Sequence, residues 1–532
     1  MLKVKDLYSG RAYHLRNLCT YDGLGNPPIQ GDILVCDGKI VKIGWVDSAA
    51  VPVDAIQLDC GGLAASPGFI DIHSHSDRAI VLHPEAECLL KQGITTTVGG
   101  LCGGSAAGKI TEPHYMQQYA SAGIPLWEDF EGFLKAVEKA KPAVNVAMLF
   151  GHGDVRTQIV GTSGRPLTSE EKSTMVDLCR KHMALGAFGI SSGLEYLPGR
   201  FADVDELVVA SQAVRERDGI HECHMRNEGP ELIESVQEAI AVAENSKVRF
   251  EISHLKAVGE DNWGRLPAVL KMLDEAEARN IEISADVYPY FASNTELAIV
   301  MPDWSLADGK QAGMQLIMND SDARAKIAFQ SDLRTKKQGG WDKIVILSVV
   351  NPDTKWMEGL NIVEIAKKSG KPPQEEALDI LIKNSMQVGI IRHSMSESDL
   401  VAAMRHPRTC IVTDGTIGVE SEGKIHPRSI GTYARFLGHF VRDKKVLPMA
   451  EAIRKITSLP AAKMRIHDRG LLREGLAADL VIFDPDKIAD RSTYQDPWHS
   501  PDGIPGVFVN GQLAVWEGEL TGVRPGRLLK KL

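Results

Sequence analysis

PGFIDIHSH, Pro67 to His75, starts apolar and ends in two histidines two residues apart. On a β-strand, residues i and i+2 face the same side, so both imidazoles point to one place at the strand's end. Seven later runs read as strands, and all but GITTTVGG carry polar residues at or near their ends. They are GITTTVGG (Gly93–Gly100), VNVAMLFGHG (Val144–Gly153), GAFGISSGLE (Gly186–Glu195) and GIHECHMRNE (Gly219–Glu228). VRFEISHLK (Val248–Lys256), IEISADVYPY (Ile281–Tyr290) and TCIVTDG (Thr409–Gly415) complete the set. Amphipathic runs at Trp127–Ala140, Ser169–Leu185, Asp205–Arg217, Glu231–Asn245 and Leu266–Arg279 lie between them. Eight strand–helix alternations predict an α/β protein built on a parallel (β/α)8 TIM barrel. In such barrels the C-terminal strand ends build the active site, and here the polar residues collect at those ends.

Working outward, both chain ends read as short strands. ILVCDGKIVKIG turns at Asp37-Gly38, and VFVNGQLAVWEG turns at Asn510-Gly511. Such pairs are hairpin signals. The expected organisation is a small β-sandwich domain assembled from residues 1–63 and 470–532, around a barrel at 64–469. Between Tyr290 and Thr409 there is far more chain than one βα unit needs. Residues 297–343 are the expected insertion, a candidate lid over the barrel mouth.

The 532 residues are 43% hydrophobic and 24% charged, enough apolar content to bury a large core without disulfides. A net charge of −10 argues against a dedicated nucleic-acid or membrane-surface partner. The eight cysteines form no CxxC pair and read as reduced thiols. The start, MLKVKDLYSG, has no apolar signal-peptide core, and no apolar run reaches the roughly 18 residues of a membrane span. A cytoplasmic protein is expected.

His73 and His75 suit a metal site at the end of the first strand. His224 and His254 end the fifth and sixth strands, and Asp414 ends the eighth. A lone histidine is weak evidence, but four at strand ends converge. A buried aspartate beside a cation can act as ligand, general base or both. Cys102 sits in the glycine loop GGLCGGS, where the backbone can come close and expose the thiol.

Together, PGFIDIHSH, the lone cysteine in a glycine loop, HMRNEG, SHLK, ADVYPY, TDG and HPRSIGTYARFLG resemble the N-acyl-D-amino-acid deacylases, a family of the amidohydrolase superfamily. The likeness extends to GLLREGLAADLVIFDP (Gly470–Pro485) and the final RPGRLL. The resemblance implies a tightly held Zn²⁺ on Cys102, His224 and His254. It implies a second, weaker metal position on His73, His75 and Asp414, with Cys102 able to bridge. The cysteine stands where many relatives use a carboxylated lysine. GGLCGG is slightly longer than the family's usual loop, and LYSGRAYHLRNLCTYDG is an unusual extension of the early strands.

The implied activity is zinc-dependent hydrolysis of an N-acylated amino acid, a small-molecule partner, to a carboxylate and a free D-amino acid. Asp414 would take a proton from the attacking water and return it to the leaving nitrogen. Lys256, two residues past His254, Tyr288, Ser293 and Arg428 would bind the substrate carboxylate. Tyr288 and Tyr290 share one strand face, and spacing does not separate them. His152, Glu222, Arg226, Glu228 and Asp286 also lie at strand ends, as groups that orient ligands or as structural partners. The resemblance implies an arginine just after the seventh strand in members that prefer acidic D-amino acids; NTELAIVMPDW (Asn294–Trp304) contains no arginine or lysine, so it implies neutral or hydrophobic side chains here. The alternatives are a cyclic-amide hydrolase of the same superfamily and a metal-free, non-catalytic scaffold. The choice of D over L substrates rests on the resemblance alone.

Overall fold

The structure, a computed structural model, describes residues 12–106, 108, 110 and 113–531. The readings made on Met1 to Arg11, including the charged N-terminus and the start of the unusual extension, lie outside the described residues. Eight parallel strands form the barrel: β1 (Phe69–Asp71), β2 (Ile94–Gly99), β3 (Asn145–Gly151), β4 (Gly189–Gly193), β5 (Ile220–His224), β6 (Arg249–Ile252), β7 (Ile283–Val287) and β8 (Thr409–Ile411). They lie side by side in chain order, and all eight fall within the runs read from the sequence. Nearly every strand residue is buried, because helices cover the outside and side chains fill the inside.

β1 and β8 close the ring. The Asp414 amide donates to the His73 carbonyl at 2.9 Å and the His75 amide to the Gly415 carbonyl at 2.6 Å. Below them, the Asp71 carboxylate accepts from the Thr413 amide at 3.0 Å and the Thr413 hydroxyl at 2.6 Å. These bonds bring His73, His75 and Asp414 together although the first and last strands are far apart in the chain. The outer helices start on side-chain caps, such as Thr168 with Glu171 before Ser169–Ala184 and Asp203 before Val204–Arg215.

Strands from both chain ends make one nine-stranded sheet. Leu480–Phe483 pairs antiparallel with Ala64–Pro67, which joins Ala12–Thr20. The sheet curls on itself: Tyr13 meets Phe508 edge-on at 5.0 Å, although other strands lie between theirs. Tyr13, Ile33, Ile40, Leu480 and Phe508 share its closed apolar core. Ala64–Pro67 thus belongs to the sandwich, past the boundary expected at residue 63. Near the chain end, Gly526 to Lys531 leaves this sheet and runs along the foot of the barrel. There the Val146 amide donates to the Arg527 carbonyl at 2.9 Å and the Leu529 amide to the Val146 carbonyl at 2.7 Å.

The insertion is wider than 297–343. Strands Ala292–Glu296, Val388–His393 and Ile344–Val349 form an antiparallel sheet in that order. Leu297, Ile317, Ile327, Trp341, Ile346, Leu378 and Ile390 form a core separate from the barrel's. Cutting at Lys343 would strip the sheet of two strands, so the inserted unit runs from Ala292 to His393. Among the described residues, no helix is long and apolar enough to cross a membrane.

Candidate active site

The chain after each barrel strand must turn sharply to aim its polar residue inward. Three turning residues take left-handed backbone: Cys102 at φ 52°, His254 at φ 37° and Asp414 at φ 47°. A non-glycine residue there costs on the order of 1 kcal/mol or more and persists only where its surroundings hold it. The Cys102 loop is held by close contact with β4. A Cβ on Gly193 would stand 2.0 Å from the Cys102 carbonyl oxygen, and one on Gly103 would stand 2.5 Å from the Gly193 nitrogen. Glycine at both positions lets the thiol reach the centre of the mouth.

The donor atoms form a continuous chain. His224 Nδ1 lies 2.8 Å from His254 Nε2, and Cys102 Sγ lies 3.4 Å from both His254 Nε2 and His73 Nε2. His73 Nε2 is 3.5 Å from Asp414 Oδ1, which is 3.1 Å from His75 Nε2. Among the described residues four close sets follow, His73–Cys102–His254, His73–His75–Asp414, His224–Glu228–His254 and His73–Glu222–Asp286; the expected trio Cys102–His224–His254 is not itself one of them, and His224 joins Cys102 through their shared neighbour His254.

Three of these histidines offer one ring nitrogen to the centre and hold the other against a carboxylate. His73 Nδ1 is 3.3 Å from Asp286 Oδ2, His224 Nε2 is 3.2 Å from Glu195 Oε2, and His254 Nδ1 is 2.9 Å from Glu228 Oε1. Such carboxylates orient an imidazole and set which nitrogen is free to bind a cation. Asp286 also accepts from the His254 amide at 2.6 Å, tying β7 to the turn after β6.

Burial opposes the Cys102 thiolate, but His73 and His254 outweigh it and hold the thiol pKa well below its ordinary value. Burial also opposes the Asp414 carboxylate; Arg428, with Nη1 2.8 Å from Oδ2, together with His254 and His73, keeps its pKa well below the usual range. Buried imidazoles, a thiolate and carboxylates converging without hydrophobic filler fit a zinc-type cation, because each donor carries a lone pair or negative charge toward the same few ångströms.

The mouth opens into a cavity of about 520 Å³ between the barrel and the insertion, with His75, Cys102, His224, His254 and Asp414 on its floor. All four expected substrate contacts line it: Lys256, Tyr288, Ser293 and Arg428. Two cations approach the Tyr288 ring, Arg428 at 4.7 Å and Lys256 Nζ at 5.8 Å. Tyr290 points away, with its hydroxyl donating to the Pro427 carbonyl at 3.3 Å, so the tertiary fold separates the two tyrosines. Lys256 donates to Glu228 at 2.6 Å.

Other strand-end residues go elsewhere. His152 Nε2 is 2.9 Å from Glu206, which also pairs with Arg156. Arg226 binds Glu238 and donates to the Arg200 and Ala202 carbonyls. Glu222 is buried inside the barrel close to His73 and Asp286. Glu195, Tyr196 and Arg392 were not foreseen. Glu195 ends the fourth run in the position that yields ligands elsewhere, and that was its signal. The Tyr196 ring leans against His224 at a 55° tilt with centroids 4.6 Å apart, and its hydroxyl meets Thr295 at 3.1 Å. Arg392 had no local signal, since a strand of the insertion carries it in.

A parallel barrel with this mouth defines a metal-dependent amidohydrolase. Residues 394–515 match the model of the amidohydrolase family. The chain is 33% identical to the N-acyl-D-aspartate deacylase of Alcaligenes xylosoxydans xylosoxydans over 96% of its own length and 93% of that protein's. It is 30% identical to the D-aminoacylase of the same organism, over 96% of both. The crystal structure of N-acyl-D-glutamate deacylase from Bordetella bronchiseptica, complexed with zinc and a phosphonate inhibitor, superposes with a TM-score of 0.82 at 29% identity, covering 98% of this chain and 100% of that one. The chain belongs to the N-acyl-D-amino-acid deacylase family.

Proposed function

We propose that this enzyme hydrolyses the amide bond of N-acyl-D-amino acids, using zinc held by Cys102, His224 and His254. His73, His75 and Asp414 are a second, weaker metal position. One observation carries the reading: these donors converge at one barrel mouth, three of their imidazoles are steered by carboxylates, and buried cations stand across the same cavity. Zinc in such a site polarises an amide carbonyl and makes bound water acidic near neutral pH.

The remaining steps belong to the chain. Asp414, ionised and facing the mouth, accepts the proton of the attacking water and passes it to the amide nitrogen as the C–N bond breaks. An amine leaves poorly as an anion, so this return is essential. Arg428, Lys256, Tyr288 and Ser293 hold the substrate's α-carboxylate and fix the scissile bond over the donors. Burial of these groups excludes bulk water and strengthens each charge contact. Ala298 and Ile299 line the wall contributed by Asn294–Trp304, and that segment offers no arginine or lysine to a substrate side chain. The preference for D substrates follows the names of the relatives.

A matched panel of N-acetyl-D- and N-acetyl-L-amino acids, with zinc quantified in the same preparation, tests the proposal. Hydrolysis confined to D substrates, with zinc bound, is the expected result. Equal turnover of L substrates, or a fully active preparation free of zinc, would overturn it.

A further inference from the structure

Most cations of the cavity wall are already matched. Lys256 pairs with Glu228, Arg428 with Asp414, Arg200 with Asp303, and Lys310 with Glu296. Arg392 differs. It is only 5% exposed and lines the cavity, yet among the described residues no carboxylate comes within 4.0 Å of it. Among the described residues its one hydrogen bond runs from Nη1 to Gln338 Oε1 at 2.9 Å, and Nε has no partner. Glu195 and Glu228 act on it from a distance, but both are engaged: Glu195 by His224 and Arg334, Glu228 by Lys256 and His254. A buried guanidinium without a counter-ion is costly, and a planar carboxylate is the group its donors fit best.

The position is built by the insertion. Arg392 pairs across the strands with Ser293 on one side and Ile344 on the other. Along its own strand, Ile390 and Val388 lie on the same face and are buried in the insertion's core. Arg392 thus ends an otherwise apolar row where that row meets the cavity, beside an expected substrate contact. The free enzyme holds an unmatched positive charge in the same cavity as Lys256 and Arg428, the two cations assigned to the α-carboxylate.

We propose that Arg392 binds a second carboxylate of the substrate, so that the preferred substrates are N-acyl-D-amino acids with two carboxylates. The second carboxylate is on the amino-acid side chain or at the far end of a dicarboxylic acyl group. The proposal rests on the deacylase reading. It also locates a specificity cation outside Asn294–Trp304, on a strand remote in sequence.

The test measures kcat/KM of wild type, Arg392→Met and Arg392→Lys on four substrates. These are N-acetyl-D-leucine, N-acetyl-D-aspartate, N-acetyl-D-glutamate and N-succinyl-D-leucine. Wild type should favour at least one dicarboxylate over N-acetyl-D-leucine. Arg392→Met should lower that preference ratio by about 10–100-fold, the range for losing a charged hydrogen-bond pair, and Arg392→Lys should keep part of it. A preference for the aspartate or glutamate substrate places the second carboxylate on the side chain; a preference for the succinyl substrate places it on the acyl group. Wild type that turns over N-acetyl-D-leucine but favours no dicarboxylate overturns the proposal and leaves the deacylase reading intact. Equal loss on all four substrates in Arg392→Met also overturns it, because Arg392 would then serve the α-carboxylate or the fold. Zinc-loaded wild type that hydrolyses none of the four removes the deacylase reading, and this proposal with it. Melting temperature supplies a readout independent of turnover: Arg392→Met should melt above substrate-free wild type, since it removes an unmatched buried charge, and a lower melting temperature counts against the proposal.

Discussion

At the barrel mouth, Cys102, His254 and Asp414 hold left-handed backbone, and thiol, imidazole and carboxylate groups crowd within hydrogen-bond distance. In the terminal sandwich, Tyr13, Ile33, Leu480 and Phe508 pack in regular strands. Its left-handed residues include Asp37 and Asn510, each followed by glycine in a hairpin turn, where such backbone is cheap. The mouth concentrates strain and buried charge, and the sandwich concentrates apolar contact. Changes at the mouth should therefore alter chemistry more than stability, and changes in the sandwich should do the reverse.

The strongest way to break this contrast is Asp414→Asn. Turnover should fall by about 10²–10⁴-fold, the usual worth of a general acid–base group. Zinc measured by metal analysis should stay on Cys102, His224 and His254, and the melting temperature should hold. A highly active variant would remove Asp414 from proton transfer. The sandwich counterpart is Phe508→Ala. It should cost about 3–5 kcal/mol in denaturant unfolding, as large-to-small core changes do, while activity per folded molecule persists.

Glu195→Gln probes the boundary between strain and chemistry. It keeps the side-chain shape but weakens the grip on His224, so zinc affinity in a chelator competition should drop about 10–100-fold. An unchanged affinity would mean that Glu195 is only a structural partner of Arg334. The smallest effect lies away from both regions. His182 packs edge-on against Phe130 and Phe150, and burial lowers its pKa to about 4. The unfolded chain takes up this proton near pH 6.5 and the native state only near pH 4. In between, the unfolded state holds more protons, so stability rises with pH. Between pH 6.5 and 5.5 this one group should remove about 1 kcal/mol, and His182→Gln should flatten that slope in urea titrations.

All eight barrel strands lie within the runs read from the sequence, because a parallel strand buried on both faces leaves a strong signal. The two hairpins were legible from Asp37-Gly38 and Asn510-Gly511 for a similar reason: a two-residue turn demands positive φ at both positions. The insertion's far boundary was not legible. Ile344–Val349 and Val388–His393 are short apolar strands, and nothing local says that they pair with Ala292–Glu296 rather than join the barrel. The histidines, Cys102 and Asp414 were readable as a group because each ends a strand or opens the loop after it. Glu195 occupies such a position too, but a lone glutamate has many structural uses and its local sequence does not single it out. Arg392 was not readable at all.

Periodicity and residue type are local properties, and they alone determined the barrel, the pairing of the chain ends into one β domain and the chemical character of the mouth. Tertiary structure decided which donors meet, that Tyr288 and not Tyr290 faces the cavity, that three carboxylates steer the histidines, and that a cation from a remote strand enters the cavity unmatched. These outcomes depend on how the β1–β8 closure and the insertion's sheet bring distant segments within a few ångströms, where burial and charge act through space without regard to position along the chain.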